Sequence, residues 1–253
     1  MTQTAFATDG YSVQPLFDPA LVLAAQQDLS DHLDRVAHAL HMPFAVSQPD
    51  EPLATRLDRI FRVNRSLATF LCMGLTTDAH SGPRLQALAR RPELLRMAET
   101  LAGCPLDNQL VMRIRAGVRS IPDQLYPWRS DVAYDDGSEC ARFRITAWIP
   151  LTDTGPDSGG LELAPCRLDA PRPHVKNRVL TIPDADLAEL PRVQPACRPG
   201  SVLFLDRFVP HRSLPVAGSA RFALSVWIKA ARDPAQNQVL DSRADHNSIQ
   251  STG

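Results

Sequence analysis

The sequence predicts a helical first part followed by an all-β sandwich or barrel. Over about the first hundred residues, apolar side chains recur at spacings of three and four, the period of an amphipathic helix. After Cys104 the apolar period changes to two, which is typical of half-buried strands. Turns rich in Pro, Gly and Asp separate the short strand-like segments, as they do in sandwiches and barrels.

The first long helix is predicted over residues 18–40. Asp18 can cap the first turn, and Pro19 suits the first helical position. Residues 42–52 contain three Pro and are predicted to form a loop. Further helices are expected over 53–72, 84–90 and 93–102, the last of them ended by Gly103. The apolar stripe of the first helix comprises Val22, Ala25, Leu29, Leu33, Val36 and Leu40.

Alternating segments mark the predicted strands. In the last of them Phe222, Leu224, Val226 and Ile228 alternate with Arg221, Ala223, Ser225 and Trp227. A pair of basic residues, Arg113 and Arg115, is interpreted as the solvated face of an earlier strand. The predicted strands cover residues 110–115, 143–151, 202–205 and 221–228.

Composition indicates one domain: residues 1–104 mostly helical, 105–231 the β core and 232–253 a polar tail. A net charge of -1, from 27 basic and 28 acidic residues, favours neither a nucleic-acid partner nor a membrane. Five Cys without a CxxC spacing argue against a disulfide framework and a structural zinc site. The start shows no signal peptide, so a cytoplasmic location is expected.

Four residues in three segments suggest chemistry. Arg129 and Asp131 lie two apart, so on an extended strand they share one face. His211 follows a buried strand that opens with Pro199-Gly200. Arg221 stands above the small residues Ala223 and Ser225, which predicts a pocket for an anion, because an unpaired buried charge is costly. Taken singly, each also fits an ordinary structural role.

Taken together, these segments resemble the phytanoyl-CoA dioxygenase family, a branch of the iron(II)/2-oxoglutarate-dependent oxygenases. The similarity spans roughly residues 9 to 230 and rests on the order of several motifs. They are Asp9-Gly10-Tyr11, Trp128-Arg129-Ser130-Asp131, Ala147-Trp148-Ile149-Pro150-Leu151-Thr152-Asp153, Ser158-Gly159-Gly160-Leu161, Pro199-Gly200, His211-Arg212-Ser213 and Arg221.

The resemblance implies a double-stranded β-helix (jelly-roll) core with helices packed outside it. It also implies that Asp131 and His211 are metal ligands of a two-His-one-carboxylate triad that binds Fe(II). Arg221, helped by the Ser213 hydroxyl, would bind the distal carboxylate of 2-oxoglutarate. The chain departs from the family where the first His of the triad would stand, because that position holds Arg129, a cation with no lone pair to offer iron.

Three hypotheses follow. The first is an oxygenase-like enzyme with a weakened metal site that carries out oxidative tailoring of a small molecule. The second is a metal-free enzyme in which Arg129 and Arg221 clamp an anionic substrate, while His211 and Asp131 transfer a proton. The third is a non-catalytic homologue that binds a ligand or a partner subunit, and the sequence leaves a homo- or hetero-oligomer open. In the unliganded protein we expect Arg129 to contact Asp131, and we expect His174 to lie in a Pro-rich loop.

Overall fold

The computed structural model describes residues 2–78, 80, 82–121, 125–154, 158–176 and 179–232. The α-helices are α1 (Thr2–Asp9), α2 (Pro19–Ala39), α3 (Leu53–Val63), α4 (Arg65–Thr77), α5 (Pro83–Ala89) and α6 (Pro92–Ala102). The strands are β1 (Tyr11–Pro15), β2 (Leu106–Gly117), β3 (Phe143–Pro150), β4 (Leu161–Leu163), β5 (Val175–Lys176), β6 (Leu180–Thr181), β7 (Ser201–Asp206), β8 (His211–Ser213) and β9 (Arg221–Ala230). Apart from β1, the strands follow the α-helices in the chain.

The larger sheet is antiparallel with the strand order β1-β7-β3-β9-β2. The shorter sheet pairs β4 with β8, again antiparallel. Apolar side chains of both sheets meet in one buried cluster that includes Trp148, Leu163 and Leu203, so the two sheets face each other. The predicted jelly-roll core with helices packed outside is therefore confirmed, as two facing sheets.

The three inner strands of the larger sheet, β7, β3 and β9, have two buried faces. One face, which includes Ile149, Leu224 and Val226, packs in the main core with the helices. Helix α4 packs on β2, and α6 packs on β2 and β3. The opposite face looks toward the shorter sheet, and this face carries the polar residues of the candidate site. The sheet thus separates the apolar core from a polar interior.

Local signals position the helices as expected, with one exception. Asp18 accepts a hydrogen bond from the Ala20 N–H at 2.9 Å, and Gly103 ends α6 in the left-handed conformation at φ 67°. The single helix expected over 53–72 is wrong, because the chain is extended at Asn64. The Asn64 side chain accepts from the Leu67 N–H at 2.9 Å, so it starts a second helix, α4.

Two further boundaries differ from the expectation. Strand β1 lies in the part expected to be mostly helical, and it pairs with β7 as an edge strand. Trp128 to Asp131 is not a strand, since only Arg129 forms a bridge there, with His211. Residues 233–253 of the expected polar tail lie outside the described residues. In the described part of the chain, no helix combines the length and apolarity needed to cross a membrane.

Candidate functional site

A cavity lies between the two sheets, and charged side chains line it. The volume open to the centres of water-sized spheres is about 10 Å³, room for roughly one water molecule. All five residues singled out from the sequence lie in its wall. The lining residues are Arg115, Arg129, Asp131, Thr146, Trp148, Leu161, Leu205, His211, Ser213, Arg221, Ser225 and Trp227. We call this space the inner cavity.

Arg221 is a buried cation in this wall. It begins β9, and its residue is only 1% exposed. Gly117 lies opposite on β2, where a Cβ would come within 2.8 Å of the Arg221 Nη2, so the glycine leaves room for the guanidinium. The Nε and Nη1 atoms of Arg221 have no hydrogen-bond partner. Burial, with a contribution from Arg115, lowers the pKa of Arg221 to about 10, so it stays charged at neutral pH.

His211 begins β8 and points its Nε2 toward Asp131. The His211 Nδ1 lies 3.0 Å from the Val209 carbonyl, which can only accept, so Nδ1 carries the proton. The Nε2 atom lies 3.7 Å from Asp131 Oδ1. Burial lowers the pKa of His211 to about 4 although Asp131 opposes this, so the imidazole is neutral at pH 7 with a free lone pair on Nε2.

The Asp131 carboxylate is held by neutral donors. Thr146 donates a hydrogen bond to it at 2.6 Å, and the Trp227 indole also hydrogen-bonds it. Burial raises the pKa of Asp131, but the nearby His211, these two hydrogen bonds and Arg129 together outweigh burial and hold the pKa below its usual value. Asp131 is therefore an anion, and the surrounding side chains compensate for the unfavourable burial of its charge.

Arg129 does not pair with Asp131, contrary to the expectation. Its main chain bonds to that of His211, with N–H to carbonyl distances of 3.0 Å and 2.8 Å in the two directions. Its guanidinium lies 4.5 Å from the centroid of the Tyr126 ring and 3.4 Å from the Pro127 carbonyl. The guanidinium therefore lies on the face of an aromatic ring, while Asp131 accepts hydrogen bonds from Thr146 and Trp227.

Sequence reasoning missed Arg115. The interpretation as a solvated strand face is wrong for this residue, because its guanidinium lies 4.7 Å from the Tyr126 ring centroid and 4.9 Å from that of Trp227. Arg115 pairs with Ala223 across β2 and β9, next to the pair of Gly117 with Arg221. The signal available in the sequence was this register, which places Arg115 on the same face as Arg221. Arg113 is exposed, as expected for that residue.

An outer pocket adjoins the inner cavity. Its volume, by the same measure, is about 550 Å³. The two spaces share Arg115, Arg129, Asp131 and Trp227, which therefore form the boundary between them. The rest of the outer pocket is lined by Val111, Arg113, Tyr126, Ser130, Ala133, Cys140, Phe143, His174, Val179 and Leu180.

His174 lies beside the site but is not free to replace the missing ligand. Its Nδ1 lies 2.8 Å from the Arg172 carbonyl, so it donates there. Its Nε2 accepts from the Ser130 N–H at 3.2 Å. Both ring nitrogens are therefore used by the backbone, and His174 acts as a support for the segment that carries Arg129 and Asp131.

These residues do not fit an iron site with three protein ligands. The inner cavity offers one carboxylate, on Asp131, and one imidazole, on His211. No group of three or more His, Cys, Asp or Glu suited to a metal occurs among the described residues. Arg129, bridged to His211 through the main chain, lines the same cavity with a cation that has no lone pair to offer a metal.

Comparison with known proteins places the fold. No protein-family model and no curated protein matches the sequence. Solved structures of non-heme enzymes do match. The α-ketoglutarate-dependent carbocyclase SnoK from nogalamycin biosynthesis is 19% identical with a TM-score of 0.59, over 91% of this chain and 83% of that chain. EctD from S. alaskensis, solved with 2-oxoglutarate and 5-hydroxyectoine, is 20% identical with a TM-score of 0.58, over 90% and 74%.

A third solved structure, the apo form of the non-heme monooxygenase ThoJ, is 18% identical with a TM-score of 0.56, over 90% of this chain and 76% of that chain. Similarity at this level of identity concerns the fold. The chain therefore has the jelly-roll fold of non-heme, 2-oxoglutarate-dependent enzymes, with an arginine beside the candidate metal-binding histidine.

Proposed function

We propose that this chain is an oxygenase-fold enzyme that binds 2-oxoglutarate, or a closely similar dicarboxylate, through Arg221. We further propose that it is a divergent relative of the phytanoyl-CoA dioxygenase family that acts on a small molecule. One observation carries the binding proposal: a guanidinium that is 1% exposed lines a cavity and has two nitrogen atoms without a partner. A carboxylate would satisfy both, since guanidinium and carboxylate form paired hydrogen bonds.

The roles of the other residues follow from their positions. Ser213 lines the same cavity as Arg221 and offers a hydroxyl to the same carboxylate. Asp131 lines both spaces and His211 lines the inner cavity, where the pair can hold or move a proton at Nε2. The inner cavity is smaller than 2-oxoglutarate, so binding requires the Arg115 and Arg129 side chains to move outward. Within the described part of the chain, their guanidiniums contact ring faces and one carbonyl but no carboxylate.

Iron, when bound by enzymes of this fold, supplies the oxidising power. Here two protein ligands and an adjacent arginine predict an Fe(II) affinity well below that of a complete triad. The oxidative tailoring proposed from the fold therefore depends on a weak metal site.

A specific observation favours a second candidate, metal-free proton transfer. The neutral His211 presents its Nε2 lone pair 3.7 Å from Asp131, which would stabilise the imidazolium after proton uptake. A 2-oxo acid loses a proton from the carbon next to its ketone, so the test is deuterium uptake at C3 of 2-oxoglutarate in D2O, followed by NMR. Uptake that disappears in His211→Gln supports this candidate, and uptake at the uncatalysed rate removes it.

The main proposal is tested by calorimetric titration of 2-oxoglutarate in chelator-treated buffer. Arg221→Ala is expected to weaken binding at least tenfold, the equivalent of about 1.4 kcal/mol. Arg212→Gln is the matched control, because Arg212 is a neighbouring cation that pairs with Glu162 at 2.6 Å and does not line the cavity. Equal affinity of wild type and Arg221→Ala would refute the binding role, and the non-catalytic partner-binding hypothesis would then take precedence.

A further inference from the structure

The boundary between the inner cavity and the outer pocket carries two guanidiniums on one aromatic ring. Arg115 and Arg129 lie 4.7 Å and 4.5 Å from the centroid of Tyr126. Among the ion pairs of the described residues, neither guanidinium has a carboxylate partner. Two like charges next to one ring repel each other, so the arrangement favours an anion that both can contact.

Asp131, the carboxylate at this boundary, is not the anion that Arg115 and Arg129 contact. It accepts from Thr146 at 2.6 Å and from the Trp227 indole, and it faces His211. The three guanidiniums in the inner cavity wall thus face a single carboxylate and a neutral imidazole. If Arg221 takes a dicarboxylate, positive charge at the boundary remains for a second anion.

The outer pocket adds an apolar wall beside these cations. Phe143 and Trp227 lie with ring centroids 6.3 Å apart, and Val111 and Leu180 complete the wall. The volume of about 550 Å³ is in the range that small-molecule sites occupy, roughly 300–1,000 Å³. A ligand that fits this pocket has a negatively charged end toward Arg115 and an apolar body against the rings.

We propose that Arg115 and Arg129 bind the carboxylate of the substrate itself, a small organic acid whose apolar body packs on Phe143 and Trp227. The proposal rests on the proposed function, because it names the substrate class of that enzyme. The proposed site differs from that of Arg221 because Arg115 and Arg129 also line the outer pocket, whereas Arg221 lines only the inner cavity. Arg115 is the residue that distinguishes an acid from a neutral molecule of the same shape.

The test uses 4-phenylbutanoate and its neutral amide as probes, titrated by NMR at low salt. Wild type is expected to bind the acid at least tenfold more tightly than the amide, about 1.4 kcal/mol. Arg115→Gln should reduce this ratio below about threefold, and Arg115→Lys, which keeps the charge, should retain more of it. Arg113→Gln is the matched control, because Arg113 lines the same pocket two residues away but is exposed and contacts His80.

Three results would overturn the proposal: equal or undetectable binding of acid and amide, equal losses in Arg113→Gln and Arg115→Gln, or loss of acid binding in Arg221→Ala. The last would place the probe in the inner cavity. If Arg115→Gln does not fold, the ratio of acid to amide affinity in Arg115→Lys and in Arg221→Ala still tests the proposal. Absence of 2-oxoglutarate binding alongside Arg115-dependent binding of the acid would refute the proposed function, whereas the acid-binding site at Arg115 would remain.

Discussion

The main chains of Arg129 and His211 are joined by two hydrogen bonds, at 3.0 Å and 2.8 Å, in an antiparallel bridge between β8 and the segment that precedes β3. Side chains of residues paired in this way lie on the same side of the backbone. The guanidinium is thereby placed beside the imidazole and at the entrance to the inner cavity. The identity of residue 129 therefore sets the charge next to His211 without a change in the bridge.

Arg129→His is expected to raise Fe(II) affinity at least tenfold, about 1.4 kcal/mol, because it removes a positive charge and adds a third ligand beside Asp131 and His211. Anaerobic metal titration measures the affinity, and succinate formation from 2-oxoglutarate reports turnover. Arg129→Gln is the control, since it removes the charge without adding a strong ligand. A folded Arg129→His protein that binds iron no better than Arg129→Gln would show that Asp131 and His211 are not a latent metal site.

Gly117→Ala is expected to weaken 2-oxoglutarate binding several-fold and to lower the free energy of unfolding by about 1–3 kcal/mol. The new Cβ would lie 2.8 Å from Arg221 Nη2 and 3.0 Å from Val216 Cγ2, so the guanidinium must shift. Gly160→Ala is the control, because its nearest neighbour, Thr154 Cβ, would be 3.9 Å away. Calorimetry and urea unfolding provide the two measurements. Indistinguishable behaviour of the two variants would contradict the tight fit between β2 and Arg221.

Asn64→Ala is expected to destabilise the protein by about 1 kcal/mol, because it removes the side-chain cap of α4. Urea unfolding monitored by circular dichroism measures the change. Asn108→Ala, at an exposed position of β2, should change stability by less than about 0.5 kcal/mol. Equal stability of Asn64→Ala and wild type would mean that packing alone sets the break between α3 and α4.

The buried thiols are expected to resist a thiol reagent at pH 8 in the native protein. Burial raises the pKa of Cys72 and of Cys197 to about 12, so almost no thiolate forms there. Cys140 is exposed and should react quickly. The pKa of each buried thiol is higher in the folded state than in the unfolded state. The two thiols therefore contribute to the free energy of unfolding below about pH 9, and this contribution is lost as pH rises toward 12. Mass spectrometry after timed labelling identifies each site, and fast labelling of Cys72 would contradict its buried position.

Most of the fold could be predicted from the sequence, because in the long elements the local signals agree with the tertiary packing. The Asp18 cap and the alternation along β9 each determine one element, and both are present in the structure. Strand β1 gave no comparable signal, because its five residues owe their extended form to pairing with β7. The break at Asn64 was missed because a capping residue inside an apolar stripe looks like an ordinary polar position.

The candidate site was harder to predict than the fold. The order of the motifs alone pointed to Arg129, Asp131, His211, Ser213 and Arg221, and all five line the inner cavity. Arg115 was missed because its role depends on the register between β2 and β9, which is set by partners over a hundred residues away. The position of the Arg129 guanidinium was also not predictable, since it depends on Tyr126, which no motif singles out.

In strand β9, neighbouring positions serve different purposes, one the apolar core and the other the inner cavity. Its even-numbered residues, from Phe222 to Ile228, belong to the apolar core, whereas the odd-numbered residues Arg221, Ser225 and Trp227 face the inner cavity. Substitutions at positions 221, 225 and 227 thus act on what the protein binds, and substitutions at even positions act on its stability. Within a single strand, an evolving protein can therefore change its ligand at one set of positions and its stability at the set between them.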